Sequence, residues 1–321
     1  MQYKWIEDLE SNLDKFLDSL QKDEYKFNPV TKGITPNGAK LELGLSCYAL
    51  KIYFITGRWD LLPINQKERW IKYINSFQSI DNEFAINAFI DNAYINAYNE
   101  FSLTKNIKET VKSILIYLNY KNYRLRGEKL EEFITAESKQ AISTLIQVNY
   151  KSRKLYQSEL LNENAIHNYL NSLNWQNAWN AGAQFSSLCV FVSTQVEDKS
   201  KKEFLKNILS DFIKNVSNPE NGGFYTQTIP KERELINGAM KVITGLDWIG
   251  VEMPYPKKLI DTCLNAKPNM EGCDIVDVIY VLYMCNRMTD YRSKDIKEYF
   301  EILLSLIESH YFFGEGGFSY F

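Results

Sequence analysis

Apolar positions recur at helical spacing along nearly the whole chain, and no convincing run of strand-like alternation interrupts them. Phe204, Ile208 and Phe212 share one helical face, with Leu205, Leu209 and Ile213 beside them. Ile296, Tyr299, Phe300, Leu303, Leu304 and Ile307 repeat the design. Polar residues fill the intervals, so these helices turn one side to water. The pattern predicts helices of this kind near 2–20, 66–78, 107–118, 158–173, 203–216, 256–265 and 295–309. Between them lie segments that are apolar around most of the circumference. Residues 84–99 are one, and 178–194, with Ala178, Ala181, Ala183, Phe185, Leu188, Val190 and Phe191 on several sides, are another. Others fall near 38–56, 136–149, 235–246 and 275–288. A helix apolar nearly all round must be enclosed by protein.

Helices that face water therefore alternate with helices that do not. Local signals support the punctuation: Asn65 with Glu68 reads as a capping box, Gly57 as a C-terminal cap, and Pro230 with Glu232 as a helix opening. The common solution to such alternation is an inner ring of helices inside an outer ring. The expected fold is all-α, a single domain over 1–321 built as an α/α toroid, either a six-hairpin (α/α)6 barrel or an incomplete one. An open helical solenoid is the main rival. The helix near 295–309 has no inner partner. It is expected to pack beside the N-terminal helix over Trp5, Leu9 and Phe16, with Phe318, Tyr320 and Phe321 covering the seam.

A weak repeat runs through the chain. Phe212-Ile213-Lys214-Asn215-Val216 leads to Asn221-Gly222-Gly223-Phe224, and Leu304-Ser305-Leu306-Ile307 leads to Glu315-Gly316-Gly317-Phe318. Tyr73-Ile74-Asn75-Ser76-Phe77-Gln78 leads to Asp81-Asn82-Glu83-Phe84, the same layout without glycines. An outer helix, a Gly-Gly-Phe turn and an inner helix resemble the repeats of terpenoid cyclases and protein prenyltransferases. That resemblance implies the toroid, which many carbohydrate-active hydrolases, lyases and epimerases share; a shared fold does not carry function with it. The Asp-x-Asp-Asp acid motif of class II cyclases and the Asp-Asp-x-x-Asp metal motif are both missing. Cys273 and Asp274 with His310 match the prenyltransferase zinc ligands in type but not in order or spacing, so no metal and no cofactor is expected.

Composition narrows the classes. With 37 Lys+Arg against 40 Asp+Glu and a net charge of -3 spread along the chain, no nucleic-acid surface is expected. The basic run Lys151, Arg153, Lys154 lacks a glycine-rich turn and reads as a solvated loop. No stretch of about twenty apolar residues predicts a membrane span. The opening Met-Gln-Tyr-Lys-Trp-Ile-Glu-Asp lacks the features of a signal peptide, and the five scattered cysteines read as mostly buried free thiols. A cytoplasmic, bacterial protein is the expectation.

Candidate chemistry rests on polar groups in apolar helices. Asp91, between Phe89, Ile90, Ala93 and Tyr94, must be paired or face a wet cavity. It shares a helical stripe with Asn87 and Tyr98, which Tyr94 adjoins. Such a stripe lines a funnel or forms a structural hydrogen-bond network. Asp274 and Asp277 have the spacing of an N-cap and a first-turn acid, yet at the mouth of a toroid they could serve as acid and base. Trp179, Asn180 and Gln184 mark another helix start, and Asn237 and Lys241 a third. An indole beside amides and carboxylates suits a sugar ring, whereas core packing is the alternative for Trp179 and still more for Trp175. Lys241 needs a carboxylate partner or an anionic ligand. Only two histidines are present, His167 and His310, both on outer helices, so a histidine-assisted nucleophile has little support. The expected function is that of a carbohydrate-active toroid, a hydrolase, lyase or epimerase acting on a bacterial saccharide. The expected catalytic residues are Asp91, Asp274 and Asp277; Tyr94, Trp179, Asn180, Gln184, Asn237 and Lys241 are expected to bind substrate. The alternatives are an isoprenoid enzyme and a non-catalytic helical module for glycan or peptide.

Overall fold

The structure, a computed structural model, describes residues 3–79, 84–100, 103–118, 125–267 and 271–320. Among the described residues it is mostly helical, 67% helix in 14 α-helices with almost no sheet. Among the described residues no helix is long and apolar enough to cross a membrane. The chain divides into two compact units, one of Ser19–Ser158 and one of Met1–Asp18 with Glu159–Phe321.

The first of these units holds β1 (Gln21–Asp23), β2 (Lys26–Phe27), α2 (Leu43–Ile55), α3 (Arg58–Leu61), α4 (Ile64–Ser76), α5 (Asn92–Asn99), α6 (Leu103–Tyr117) and α7 (Arg126–Gln147). Leu43, Cys47 and Leu50 of α2 are buried, as are Ile142 and Leu145 of α7, and the two helices pack together. Trp70 centres an aromatic cluster with Tyr25, Phe27, Tyr53 and Trp59, its indole N–H donating to Ser46 Oγ at 2.9 Å.

Three expectations change here. The 84–99 helix is only α5; residues 84–91 are irregular, and α5 buries no residue fully. Polar side chains bind the backbone instead: Asn87 adopts φ 62° and donates to Leu155 O at 2.8 Å, and Gln78 Nε2 donates to Asn87 O at 2.9 Å. Asn is suited to both roles, and these local bonds compete with helix. The capping box fails because α4 already starts at Ile64, after an extended Pro63, with no side-chain cap. The helix expected over 136–149 begins at Arg126.

The other unit holds α1 (Lys4–Leu20, here to Asp18), α8 (Glu163–Ser172), α9 (Ala178–Gln195), α10 (Lys199–Val216), α11 (Glu232–Ile249), α12 (Pro256–Asn265), α13 (Gly272–Asn286), α14 (Ser293–His310), β3 (Tyr311–Phe312) and β4 (Gly317–Phe318). Helix α9 is buried nearly all round, as expected, and α11 packs on both α9 and α13. The α9–α11 approach is unusually close. A Cβ on Gly182 would lie 2.9 Å from Gly238 O, one on Gly238 2.6 Å from Ala178 Cβ, and one on Gly245 2.9 Å from Ser186 Cα. Only hydrogen fits at these three positions. Pro230 stands one residue ahead of the Lys231 N-cap of α11, not within its first turn, while Glu232 and Glu234 do occupy that turn.

The turn repeat is broader than the Gly-Gly-Phe pair. Four helices (α1, α4, α10 and α14) are each followed by a short antiparallel pairing that ends on a phenylalanine: Gln21 with Phe27, Gln78 with Phe89, Ser217 with Phe224, and Tyr311 with Phe318. Two residues before each phenylalanine the backbone turns left-handed, at Tyr25, Asn87, Gly222 and Gly316. The turn after α4 thus closes on Phe89 rather than Phe84, and Asp81, Asn82 and Glu83 lie outside the described residues.

The hairpin β3–β4 packs on α1. Trp5 meets Tyr311 and Phe318 at centroid distances of 6.0 and 5.9 Å. Asp8 accepts from Tyr311 Oη at 2.6 Å and from Gly314 N at 2.7 Å. Coverage is partial, since Phe318 stays 44% and Tyr320 48% exposed; Phe321 is outside the described residues.

Gly314 and Gly316 separate backbone strain from packing. Both are left-handed, at φ +75° and +72°, but Gly314 faces open space while a Cβ on Gly316 would lie 2.6 Å from the Asn12 backbone. Gly314→Ala is expected to cost about 1 kcal/mol, and Gly316→Ala about 2–4 kcal/mol, in urea unfolding. Equal losses would contradict the docking of this hairpin on α1.

Candidate functional site

The polar groups that apolar helices must satisfy gather where α9, α11 and α13 begin. Arg233, Asn237 and Lys241 recur every four residues along α11 and form one stripe. Opposite them on α13 stand Asp274 and Asp277, 8% and 4% exposed. Asp274 lies inside the first turn, not at the cap, which is Glu271 without a side-chain capping bond. Its carboxylate is aimed across the groove, accepting from Arg233 Nε at 3.0 Å and from Asn237 Nδ2 at 2.6 Å. Arg233 also pairs with Glu271. Capping alone is therefore not what Asp274 does.

Asp277 is unlike its neighbour. Among the described residues it has neither a hydrogen bond nor an ion pair within 4 Å, although it is almost wholly buried. Burial pushes its carboxyl up to about 6; Lys241 opposes the shift and Asp274 adds to it. A carboxyl that titrates near neutrality suits proton transfer. Lys241 Nζ stands 5.4 Å from the centroid of the Trp179 ring, a cation–π contact. Trp179 is 45% exposed, and its backbone N–H donates to Glu234 Oε1 of α11 at 2.8 Å. Beside Arg233, Asn237 and Asp274 a cavity of about 50 Å³ reaches Tyr299 of α14, with room for water rather than for a sugar ring.

The other expected residues have different partners. Gln184 turns away from α11 and accepts from Tyr169 Oη of α8 at 3.2 Å. The Asn180 backbone N–H donates to Asn177 Oδ1 at 3.3 Å, part of the α9 cap. Trp175 is core, against Phe185 and Phe212. Of the cysteines, Cys273 is exposed and the other four are buried. His167 lies on α8, and His310 ends α14 with Nδ1 3.3 Å from Ser319 Oγ. Among the described residues no three His, Cys, Asp or Glu side chains cluster as metal ligands.

Asp91 and Tyr94 belong to the unit of residues 19–158. Asp91 is the N-cap of α5 rather than its midpoint. Its Oδ1 accepts from Ala93 N at 3.0 Å, and its Oδ2 from Glu42 N at 2.7 Å and Leu43 N at 3.1 Å, so it also caps α2. Three backbone donors satisfy this carboxylate, which is a structural role. Tyr94 stacks on Phe133 of α7. The group that sequence reasoning missed here is Glu137, pushed up to about 7 by burial and by Asp91. It lies over the first turn of α2, 3.1 Å from where a Gly44 Cβ would be.

Comparison with protein families, with curated proteins and with solved structures finds no match to the chain.

The Asp277 shift carries a stability consequence. Its folded value, about 6, lies above its ordinary 3.8, so the folded state holds the proton more tightly and loses stability as pH rises from about 4 to 6. Asp277→Asn is expected to match the parent at pH 4 and to exceed it at pH 8 by on the order of 1–2 kcal/mol, in denaturant unfolding at both pH values. A variant less stable than the parent at pH 8 would mean that the carboxylate is a favourable structural partner.

Proposed function

We propose that the chain is a carbohydrate-active α/α toroid that binds a saccharide at the starts of α9, α11 and α13. The order of outer helix, left-handed turn and inner helix supports the toroid, as does the succession α9, α11, α13, in which each helix packs on the next. One observation carries the functional reading. Asp277 is a buried carboxyl without a hydrogen-bond partner among the described residues, beside a lysine and an exposed indole. Burying such a group is costly for the fold, and that cost is typical of a site kept for chemistry.

In this reading Trp179 offers its flat apolar face to a pyranose ring. Asn237 and the Asp274–Arg233 pair supply donors and acceptors for hydroxyl edges. Asp277, protonated part of the time at neutral pH, holds and delivers a proton as a general acid or receives one as a base. The polar stripe on α11 does not suit a hydrocarbon ligand, which favours a sugar over an isoprenoid.

Ligand-observed NMR with a panel of oligosaccharides tests this. At least one is expected to bind the parent protein, with about tenfold weaker binding to Trp179→Ala, the loss of one stacking contact. Asp277→Asn is expected to keep that binding and to lose any turnover of the bound sugar. If no oligosaccharide binds, the reading fails.

A further inference from the structure

Helix α6 is turned the wrong way round for a helix that serves only the fold. An amphipathic helix at a protein surface buries its apolar stripe and gives its polar side to water. In α6 the stripe of Ile107, Val111 and Ile114 is continued by Leu118, whose N–H donates to Ile114 O at 3.0 Å, and these four side chains are 49–62% exposed. Tyr117 beside them is exposed as well. The opposite side, with the Lys112–Glu109 ion pair and with Leu115 and Ile116, is half-buried. Among the described residues no other element packs closely on α6. A contiguous apolar stripe left open in this way marks an interaction surface.

Charge decides what covers it. The chain as a whole is acidic, with a net charge of -3. Residues 103–126 run the other way, with Lys105, Lys108, Lys112, Lys121, Arg124 and Arg126 against Glu109 alone. Tyr117, Tyr120 and Tyr123 are interleaved with the last of these charges. Residues 119–124 lie outside the described residues, and their charge is read from the sequence. Tyrosine, lysine and arginine have apolar stems and polar tips, which suits them to the level where acyl chains meet headgroups. A second copy docked through this face would set the same positive charge against itself. A nucleic acid offers no apolar layer for the aliphatic stripe.

We propose that α6 is an interfacial helix that lies on an anionic lipid surface, with Ile107, Val111, Ile114 and Leu118 in the acyl boundary and the basic residues at the headgroups. Such helices bind through buried apolar area together with attraction to anionic lipid. The helix lies along the bilayer and does not cross it, since its 15 residues are too few to span.

Flotation of the full chain with vesicles tests this, using phosphatidylcholine alone and phosphatidylcholine mixed with phosphatidylglycerol. Binding to the mixed vesicles is expected to exceed binding to the neutral ones by about tenfold, and to weaken in high salt. Ile107→Asp with Ile114→Asp should abolish binding and leave the thermal unfolding midpoint unchanged. Lys121→Glu with Arg124→Glu should remove the preference for phosphatidylglycerol. No binding to either vesicle, or equal binding to both, would overturn the proposal. A lowered midpoint in the isoleucine variant would overturn it too, because the stripe would then be packed inside the protein. A dimer that the isoleucine variant dissolves, seen by sedimentation, would assign the face to a second copy. Tight binding of single-stranded DNA with none to vesicles would assign the basic segment to nucleic acid. Either result overturns the lipid reading.

Discussion

The contact between α9 and α11 is the constraint on which the candidate site depends. Gly182, Gly238 and Gly245 let the two helices approach until backbone meets backbone, with Ala178 and Ser186 as the other small residues of the seam. Any larger side chain at these positions would force the helices apart, and interiors resist that because they are already close-packed. The same seam brings Trp179 of α9 within reach of both Glu234 and Lys241 of α11. Glycine is a poor helix former, so its use in mid-helix is itself costly, by about 1 kcal/mol each. Close packing here is what offsets that cost.

From the seam the electrostatics follow. Once α11 is held tightly against α9, its polar stripe can turn only toward α13, where Asp274 and Asp277 wait. Asp274 resolves its burial by recruiting Arg233 and Asn237. Asp277, one turn further along, has no such partner among the described residues, and burial raises its carboxyl to about 6 instead. Two carboxyls on one helix thus meet burial differently, Asp274 through hydrogen bonds and an ion pair and Asp277 without them among the described residues.

Much of the helical plan was legible in the sequence. Helix α12 spans Pro256–Asn265, the expected 256–265, because its periodicity is regular and a proline opens it. The segment 84–91 was not legible. An apolar count reads Phe84 to Ile90 as helix, but Asn87 in a left-handed turn and Asp91 at a cap decide the backbone there, and both act through hydrogen bonds that hydrophobic periodicity does not register. The site divides in the same way. Asp277, Lys241 and Trp179 stood out because each is out of place in its helix. Arg233 and Glu271 did not, since charges at helix starts look like any solvated end. Glu137 was hidden among Glu131 and Glu132 on a helix whose start was set ten residues too late.

The central claim is that helix packing, not a specific bond, raises the Asp277 carboxyl to about 6. A carbon-13 NMR titration of the aspartate side-chain carboxyls in the intact protein tests it directly, with Asp277→Asn used to assign the signal. The account predicts a midpoint near 6 for Asp277. A midpoint near the ordinary 3.8 would show a solvated or paired carboxylate, and the candidate site would lose the group that defines it.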